Sequence, residues 1–222
     1  MSEAGWLVKV DFPHPQTHDA GEVGTDTGLR FSESLSGYLG EGADFWEAYR
    51  RGRAQGRSAR FWVSVSIPDL NGLLADPNHE AAMSGRVAVR GMGTASVEDG
   101  RLRLFCRREA ATLLQYYLPF KKGGERYLLW GEKRLHAPRG IEAWRQMTTL
   151  YAELLRRGGD DREELLARGV LRIGPGQVLL QALSFRPLGG LNPLRFASDY
   201  VRFLSFSSRE IRSAGGSARS AP

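Results

Sequence analysis

Few residues in this chain have the types and spacing that chemistry needs. Asp76, His79 and Glu80 gather around Pro77, with Asp69 just upstream. Two acids and a histidine have the make-up of an acid–base site, so a small hydrolase or isomerase built on Asp76, His79 and Glu80 is one reading. The same residue types cap helices and open turns, which favours a structural role. His14, His18 and Asp19 sit together between Pro13 and Asp19. A metal site needs three or four fixed ligands, and no third histidine or cysteine is near, so no metal is expected. Cys106 is the single cysteine, which excludes an internal disulfide. It follows Leu102 and Leu104 at alternate positions and reads as a buried, inert thiol on an apolar strand face. Gly91-Met92-Gly93 lacks the third glycine and following helix of a dinucleotide loop, and there is no phosphate loop or nucleophile elbow. No flavin or nucleotide cofactor is expected, and a non-catalytic protein is the favoured reading.

The elements that must hold these residues are mostly strands. The 222 residues suit one all-β domain, expected over 1–213, with a disordered Ser/Gly/Ala/Arg tail at 214–222. Leu29 to Leu39, Arg60 to Ile67, Gly85 to Met92, Arg101 to Arg107, Thr112 to Leu118 and Arg126 to Leu135 read as strands by their alternation, as does Trp6 to Val10. Glu98-Asp99-Gly100 and Gly123-Gly124 read as hairpin turns. Asp44 to Ala54 reads as a helix capped by Asp44, and Asp69 to Ala75 as a helical turn. Thr148 to Arg156 reads as a strand, and Asp160 to Arg168 as a short helix. Val170 to Ile173 and Gln177 to Phe185 read as a last hairpin around Gly174-Pro175-Gly176. Asn192-Pro193 opens a C-terminal helix to about Ile211. The fold class that follows is mainly β: an antiparallel up-and-down barrel, lipocalin-like in outline, with a C-terminal helix packed on it.

Charge and length bound the partners. Lysine and arginine total 31 against 25 acidic residues, a net charge of +6. The arginines are interleaved with acids, and the densest group (Arg50, Arg51, Arg53, Arg57, Arg60) has no stacking aromatics of the kind an RNA platform carries. No nucleic-acid partner is expected on that ground. No charged-then-apolar leader opens the sequence, and no apolar run approaches the ~20 residues of a membrane span. A single cysteine fits a reducing compartment, so the expected location is the cytoplasm.

Several strands are apolar on both faces. Leu114, Tyr116 and Leu118 oppose Leu113 and Tyr117, and Tyr127 and Leu129 oppose Leu128 and Trp130. Something must cover the second face. One candidate is the C-terminal helix, with Leu194, Ala197, Val201 and Leu204 at core-like spacing. Another is an apolar ligand, such as a sterol or fatty acyl chain, in the barrel interior, with Tyr116, Leu118, Leu128 and Trp130 as its expected lining. The helix also carries Arg195, Arg202 and Arg209 on one face beside Phe196, Phe203 and Phe206. That pattern would suit a membrane surface, but docking on the sheet is the preferred reading.

Three stretches taken together resemble a known region. They are Arg30-Phe31-Ser32-Glu33-Ser34-Leu35-Ser36-Gly37-Tyr38; Phe61-Trp62-Val63-Ser64-Val65-Ser66-Ile67-Pro68-Asp69-Leu70, leading through Leu74, Asp76-Pro77, His79 and Ala81 to Gly85-Arg86-Val87; and Arg126-Tyr127-Leu128-Leu129-Trp130-Gly131-Glu132-Lys133, then Thr148-Thr149-Leu150-Tyr151. Their order is similar to a non-catalytic β-rich region of large bacterial sterol-oxidase-like proteins, fused there to a flavin domain of the glucose–methanol–choline type. The resemblance spans most of residues 28–186. This chain lacks the dinucleotide-binding segment, so the oxidoreductase activity does not carry over. The resemblance implies an accessory module near sterol or lipid chemistry. It would either bind such a ligand or dock on a separate flavoenzyme.

Overall fold

The computed structural model describes residues 28–108, 111–136, 140–158, 162–188 and 193–213. The expected strand at Trp6–Val10, the His14/His18/Asp19 loop and the 214–222 tail lie outside them. The strands are β1 (Gly28–Gly40), β2 (Ser58–Ile67), β3 (Glu80–Val89), β4 (Gly93–Arg108), β5 (Ala111–Lys122), β6 (Glu125–Leu135), β7 (Thr149–Arg157), β8 (Glu163–Arg172) and β9 (Arg186–Leu188). Between them lie the helices α1 (Phe45–Ala54), α2 (Leu70–Ala75), α3 (Gly140–Thr148) and α4 (Pro175–Leu183), with α5 (Pro193–Ser213) last.

β1 to β8 each pair with the next in antiparallel fashion, and β1 closes the ring. Its length makes this possible: Leu29–Tyr38 pair with β2, Ser36–Gly40 with β8, and Gly28–Arg30 with the short β9. The result is a closed eight-stranded up-and-down barrel with one extra strand. Closure removes the free edges that eight antiparallel strands would otherwise expose.

Alternation assigns the faces. Leu29, Phe31, Leu35 and Leu39 of β1 point into the lumen, as do Phe61, Val63 and Val65 of β2. Leu114, Tyr116, Leu118 and Phe120 of β5 and Leu150, Ala152 and Leu154 of β7 join the same cluster. Glycines mark where neighbouring strand backbones leave no room for a Cβ. A Cβ at Gly85 (φ +155°) would collide with the Trp62 carbonyl, and one at Gly37 with the Val170 carbonyl.

Two bulges break the alternation of β4. At Asp99 (φ 49°) β4 loses register between Val97 and Arg101, so Glu98-Asp99-Gly100 is a kink inside one strand and not a hairpin turn. The β3–β4 turn falls instead around Gly91, where φ is 89°. At Phe105 (φ 55°) β4 shifts again between Arg103 and Cys106. Phe105 enters the core and Cys106 pairs with the outward Leu113, so Cys106 is half-buried and does not share a face with Leu102 and Leu104. The Gly123-Gly124 turn is as expected, with positive φ at both residues (59° and 83°).

The segment after Gly158 departs from expectation twice. Glu163–Arg172 is strand β8, not a helix, because its charges match its neighbour. Arg157 faces Glu163, Arg156 faces Glu164 and Glu153 faces Arg168, each pair bridged. Pro175–Leu183 is helix α4, not a strand. Pro175 opens its first turn, and Gln177 Oε1 accepts from the Gly174 amide at 2.9 Å. A short apolar run fits strand and helix alike, and here the N-terminal cap decides.

The C-terminal helix forms where expected but buries a different face. α5 packs on β1 and β4. Phe203 and Phe206 enter the core, where they meet Phe31, Phe185, Phe105 and the His79 ring. With Leu70 and Leu73 of α2 they close the end of the barrel at which β1 begins. Leu194, Val201 and Leu204 lie on the opposite, exposed side, at 85%, 59% and 41% exposure. The phenylalanine stripe carries more apolar area than the leucine stripe, and it is the one taken inward.

Candidate anion-binding face

The lumen holds a polar cluster that the sequence did not reveal. Lys133 Nζ lies 2.6 Å from Glu33 Oε1, and Tyr116 Oη donates to Glu33 Oε2 at 2.8 Å. All three side chains are buried. Burial, and then the neighbouring carboxylate, push the Tyr116 hydroxyl well above its ordinary pKa, so it stays a donor. The cluster spans the lumen from β1 to β5 and β6, among Phe61, Leu118 and Leu129, which are essentially inaccessible. It is a tie across the barrel, fully occupied by its own members.

The four expected lining residues divide. Tyr116 and Leu118 point inward. Leu128 and Trp130 point outward, because Leu118 pairs with Leu129 and Tyr116 with Gly131. Leu128 is nonetheless buried, as are the outward Leu113, Gln115 and Leu155, so β5 to β7 are covered on both faces. Trp130 Nε1 and Gln115 Nε2 are buried donors without an acceptor among the described residues.

The Asp76/His79/Glu80 group is taken up by structure. Asp76 accepts from the Asn78 and Glu80 amides, and His79 Nδ1 contacts the Leu73 carbonyl at 2.8 Å. Glu80 bridges Arg101 and Arg103. Among the described residues no group of three or more His, Cys, Asp or Glu could hold a metal ion. No described helix is long and apolar enough to cross a membrane.

The two best-defined concavities both lie outside the barrel. One, of about 710 Å³, carries Arg126, Arg156, Arg157 and Arg162 but also Glu125, Glu163 and Glu164, so its charges compensate one another. The other, of about 520 Å³, is lined by Arg60, Arg90, Arg172, Trp62, Tyr38 and Tyr49 with small and serine residues, and has no carboxylate. That contrast selects the second.

Its chemistry follows from strand parity. Odd-numbered residues of β1 and β2 fill the lumen, so the even ones face out. Cross-strand register then aligns Arg172, Ser36, Arg60, Ala88 and Thr94 in one row over five strands. The next row is Ser34, Trp62, Arg86 and Ser96. Arg30 with Ser66 lies further along β1 and β2. No acid stands in these rows.

Helix α1 supplies the wall. Asp44 caps it, accepting from the Trp46 and Glu47 amides at 2.8 Å each, and these bonds hold its carboxyl below the usual range. Gly40 and Gly52 let the helix backbone lie directly on β1: a Cβ at Gly40 would sit 2.6 Å from the Ala48 carbonyl oxygen. Tyr49 then meets Tyr38 edge-on at 5.7 Å, and Trp46 meets Tyr49 at 5.8 Å.

The arginines are oriented but not neutralised. Arg60 lies 4.6 Å over the Trp62 ring, and its Nε donates to Ser34 Oγ at 3.3 Å. Arg172 lies 5.0 Å over the Trp46 ring. Arg30 Nε donates to Ser66 Oγ at 3.4 Å. Among the described residues, none of Arg30, Arg60, Arg86, Arg90 and Arg172 has a carboxylate partner, whereas Arg51, Arg57, Arg101, Arg103, Arg134, Arg156, Arg157 and Arg168 all do.

Sequence order hid this face. In the Arg50–Arg60 group, Arg51 pairs with Glu47 and Arg57 with Glu41. Arg60 alone joins the concavity, and its aromatic neighbours come from β1, β2 and α1. The legible signal was the run of alternating serine, arginine and tryptophan opposite a wholly apolar face in β2.

No protein-family model, curated protein or solved structure matches this chain. Nothing in these comparisons links it to the sterol-oxidase-like proteins.

Proposed function

We propose that this chain is a non-catalytic binding module that takes an anionic ligand on the outer face of β1 to β3. The anion is held by Arg60, Arg90 and Arg172, and the ligand's planar or apolar part rests against Trp62, Tyr38 and Tyr49. One observation carries the reading. Among the described residues, the arginines of this concavity lack the carboxylates that neutralise many other arginines of the protein. Guanidinium groups fixed by serine and aromatic neighbours lose little freedom on meeting an oxyanion, and they can engage it bidentately. Partial desolvation in a concavity strengthens the attraction over that of a flat surface.

The interior is a weaker home for a ligand. Its apolar side chains are packed together, and the Glu33–Lys133 bridge crosses it.

Inorganic polyphosphate tests the anion reading by calorimetry. Binding is expected at low salt, weakening as salt rises. The double variant Arg60→Ser, Arg172→Ser should lose it, whereas Arg53→Ser on the exposed part of α1 should not. Equal binding by all three proteins would refute the site.

A further inference from the structure

The basic surface continues past the concavity. Arg86 stands on β3 beside Trp62, and Arg30 lies at the far end of β1. From the Arg30 row to the row of Tyr38, Ser58 and Arg90 is eight residues of strand, roughly 26 Å at about 3.3 Å each. A small anion needs only one end of such a stripe. A polymer with repeated charges can follow its whole length.

One exposed aromatic interrupts the stripe. Trp62 is 38% exposed in the middle of the row, with Arg60 over its ring and Arg86 across the strand. Tryptophan is costly to leave in water on a serine-rich face. Its ring and the guanidinium above it form a surface on which a flat heterocycle continues the stack.

We infer that the polyanion is a single-stranded nucleic acid, with one base stacked at Trp62 and Arg60 and its phosphates tracked by Arg90, Arg172, Arg86 and Arg30. This rests on the anion-binding reading above and specifies its ligand. Charge complementarity gives the path, and the aromatic–guanidinium pair gives the base site. A duplex fits poorly because its base faces are already stacked. A membrane fits poorly because Trp62 is the one large aromatic that stands exposed on the face, Tyr38 and Tyr49 being half-buried, and its neighbours are mostly serines and arginines. An acidic peptide would lack both the stacking partner and a free strand edge, since β2 and β3 are paired on both sides and the gap on the second side of β1 is covered where the Ser32 amide donates to Ser184 Oγ.

Fluorescence anisotropy with labelled ten-nucleotide oligo-dT and oligo-U tests this on the full chain. Inorganic polyphosphate of matched charge serves as the base-free competitor. Saturable binding of an oligonucleotide is expected, with a log–log salt slope of about −2 to −3.5, as for three to five neutralised phosphates on a single strand. Trp62→Ala should weaken oligonucleotide binding about tenfold while leaving polyphosphate binding unchanged. Arg60→Ser, Arg172→Ser should weaken both, and Arg53→Ser neither. Circular dichroism confirms that each variant is folded, and Trp62→Phe should rescue part of the loss if Trp62→Ala perturbs the sheet. If Trp62→Ala leaves oligonucleotide binding intact, or polyphosphate competes as well as a matched oligonucleotide binds, the nucleic-acid inference falls and the anion reading stands. Preference for duplex, or sedimentation with phosphatidylserine vesicles without oligonucleotide binding, also overturns it. If no polyanion binds at low salt, both fall.

Discussion

Glu33 on β1 and Lys133 on β6 meet inside the barrel with 2.6 Å between carboxylate oxygen and ammonium nitrogen, and both side chains are all but inaccessible. The Tyr116 hydroxyl satisfies the second carboxylate oxygen. Removing one member strands a charge in a low-dielectric interior. Lys133→Met or Glu33→Leu alone should therefore destabilise the protein by about 3–5 kcal/mol, whereas the double variant should recover most of that loss. Urea unfolding of the three proteins measures it, and equal, additive losses would contradict the coupling.

Tyr116→Phe removes a hydrogen bond to a charged group and leaves the ring in place. A loss of about 1.5–3 kcal/mol is expected. In the parent protein, absorbance of ionised tyrosine should show one ring that stays protonated until the barrel unfolds at alkaline pH. The raised folded-state pKa of this buried phenol means that its contribution is lost as pH rises, not as it falls.

The two apolar stripes of α5 should respond oppositely. Phe203→Ala empties part of the aromatic cluster at the barrel end and should cost about 3–5 kcal/mol. Leu194→Ser changes a side chain that is 85% exposed and should move stability by less than about 0.5 kcal/mol. Thermal melts of the two variants compare them directly. A large loss from Leu194→Ser would mean that the leucine stripe is covered in solution.

Asp44 sets the start of α1 and thus the position of Tyr49. Its carboxyl titrates below the ordinary 3.8 because the Glu47 and Trp46 amides favour the ionised form. A carboxyl with a lowered folded pKa contributes fully above its unfolded value and loses that contribution as pH falls through the folded one. Asp44→Ala should lower the melting temperature near neutral pH, with the gap from the parent closing below about pH 4. Melts across that range check the sign.

Co-purified lipid discriminates the interior from the outer face. Because Phe61, Tyr116, Leu118 and Leu129 already fill the lumen beside the ion pair, organic extraction of the purified protein should yield no stoichiometric sterol or fatty acid. Recovery of one equivalent would require the lumen to open and would restore the apolar-ligand reading.

What the chain determines by itself is its strand grammar. Period-two apolar spacing in Leu29–Leu39 and Phe61–Ile67, the Gly123-Gly124 turn and the Asp44 cap are local features, and each forms as read. The serine, arginine and tryptophan of β2 are likewise committed to one face as soon as the odd positions are apolar. Elements whose state depends on a partner could not be read so. Glu163–Arg172 is a strand because Arg156, Arg157 and Glu153 of β7 complement its charges across the hairpin. Cys106 changes face because a bulge at Phe105 suits the register of β5. The choice between the two stripes of α5 waits on which aromatic side chains the open barrel end presents. Tertiary structure alone closes the ring through β1. Closure decides that Glu33 and Lys133, a hundred residues apart, share one dry interior. It also decides that Arg60, Arg172 and Trp62 share one wet face with no acid among them.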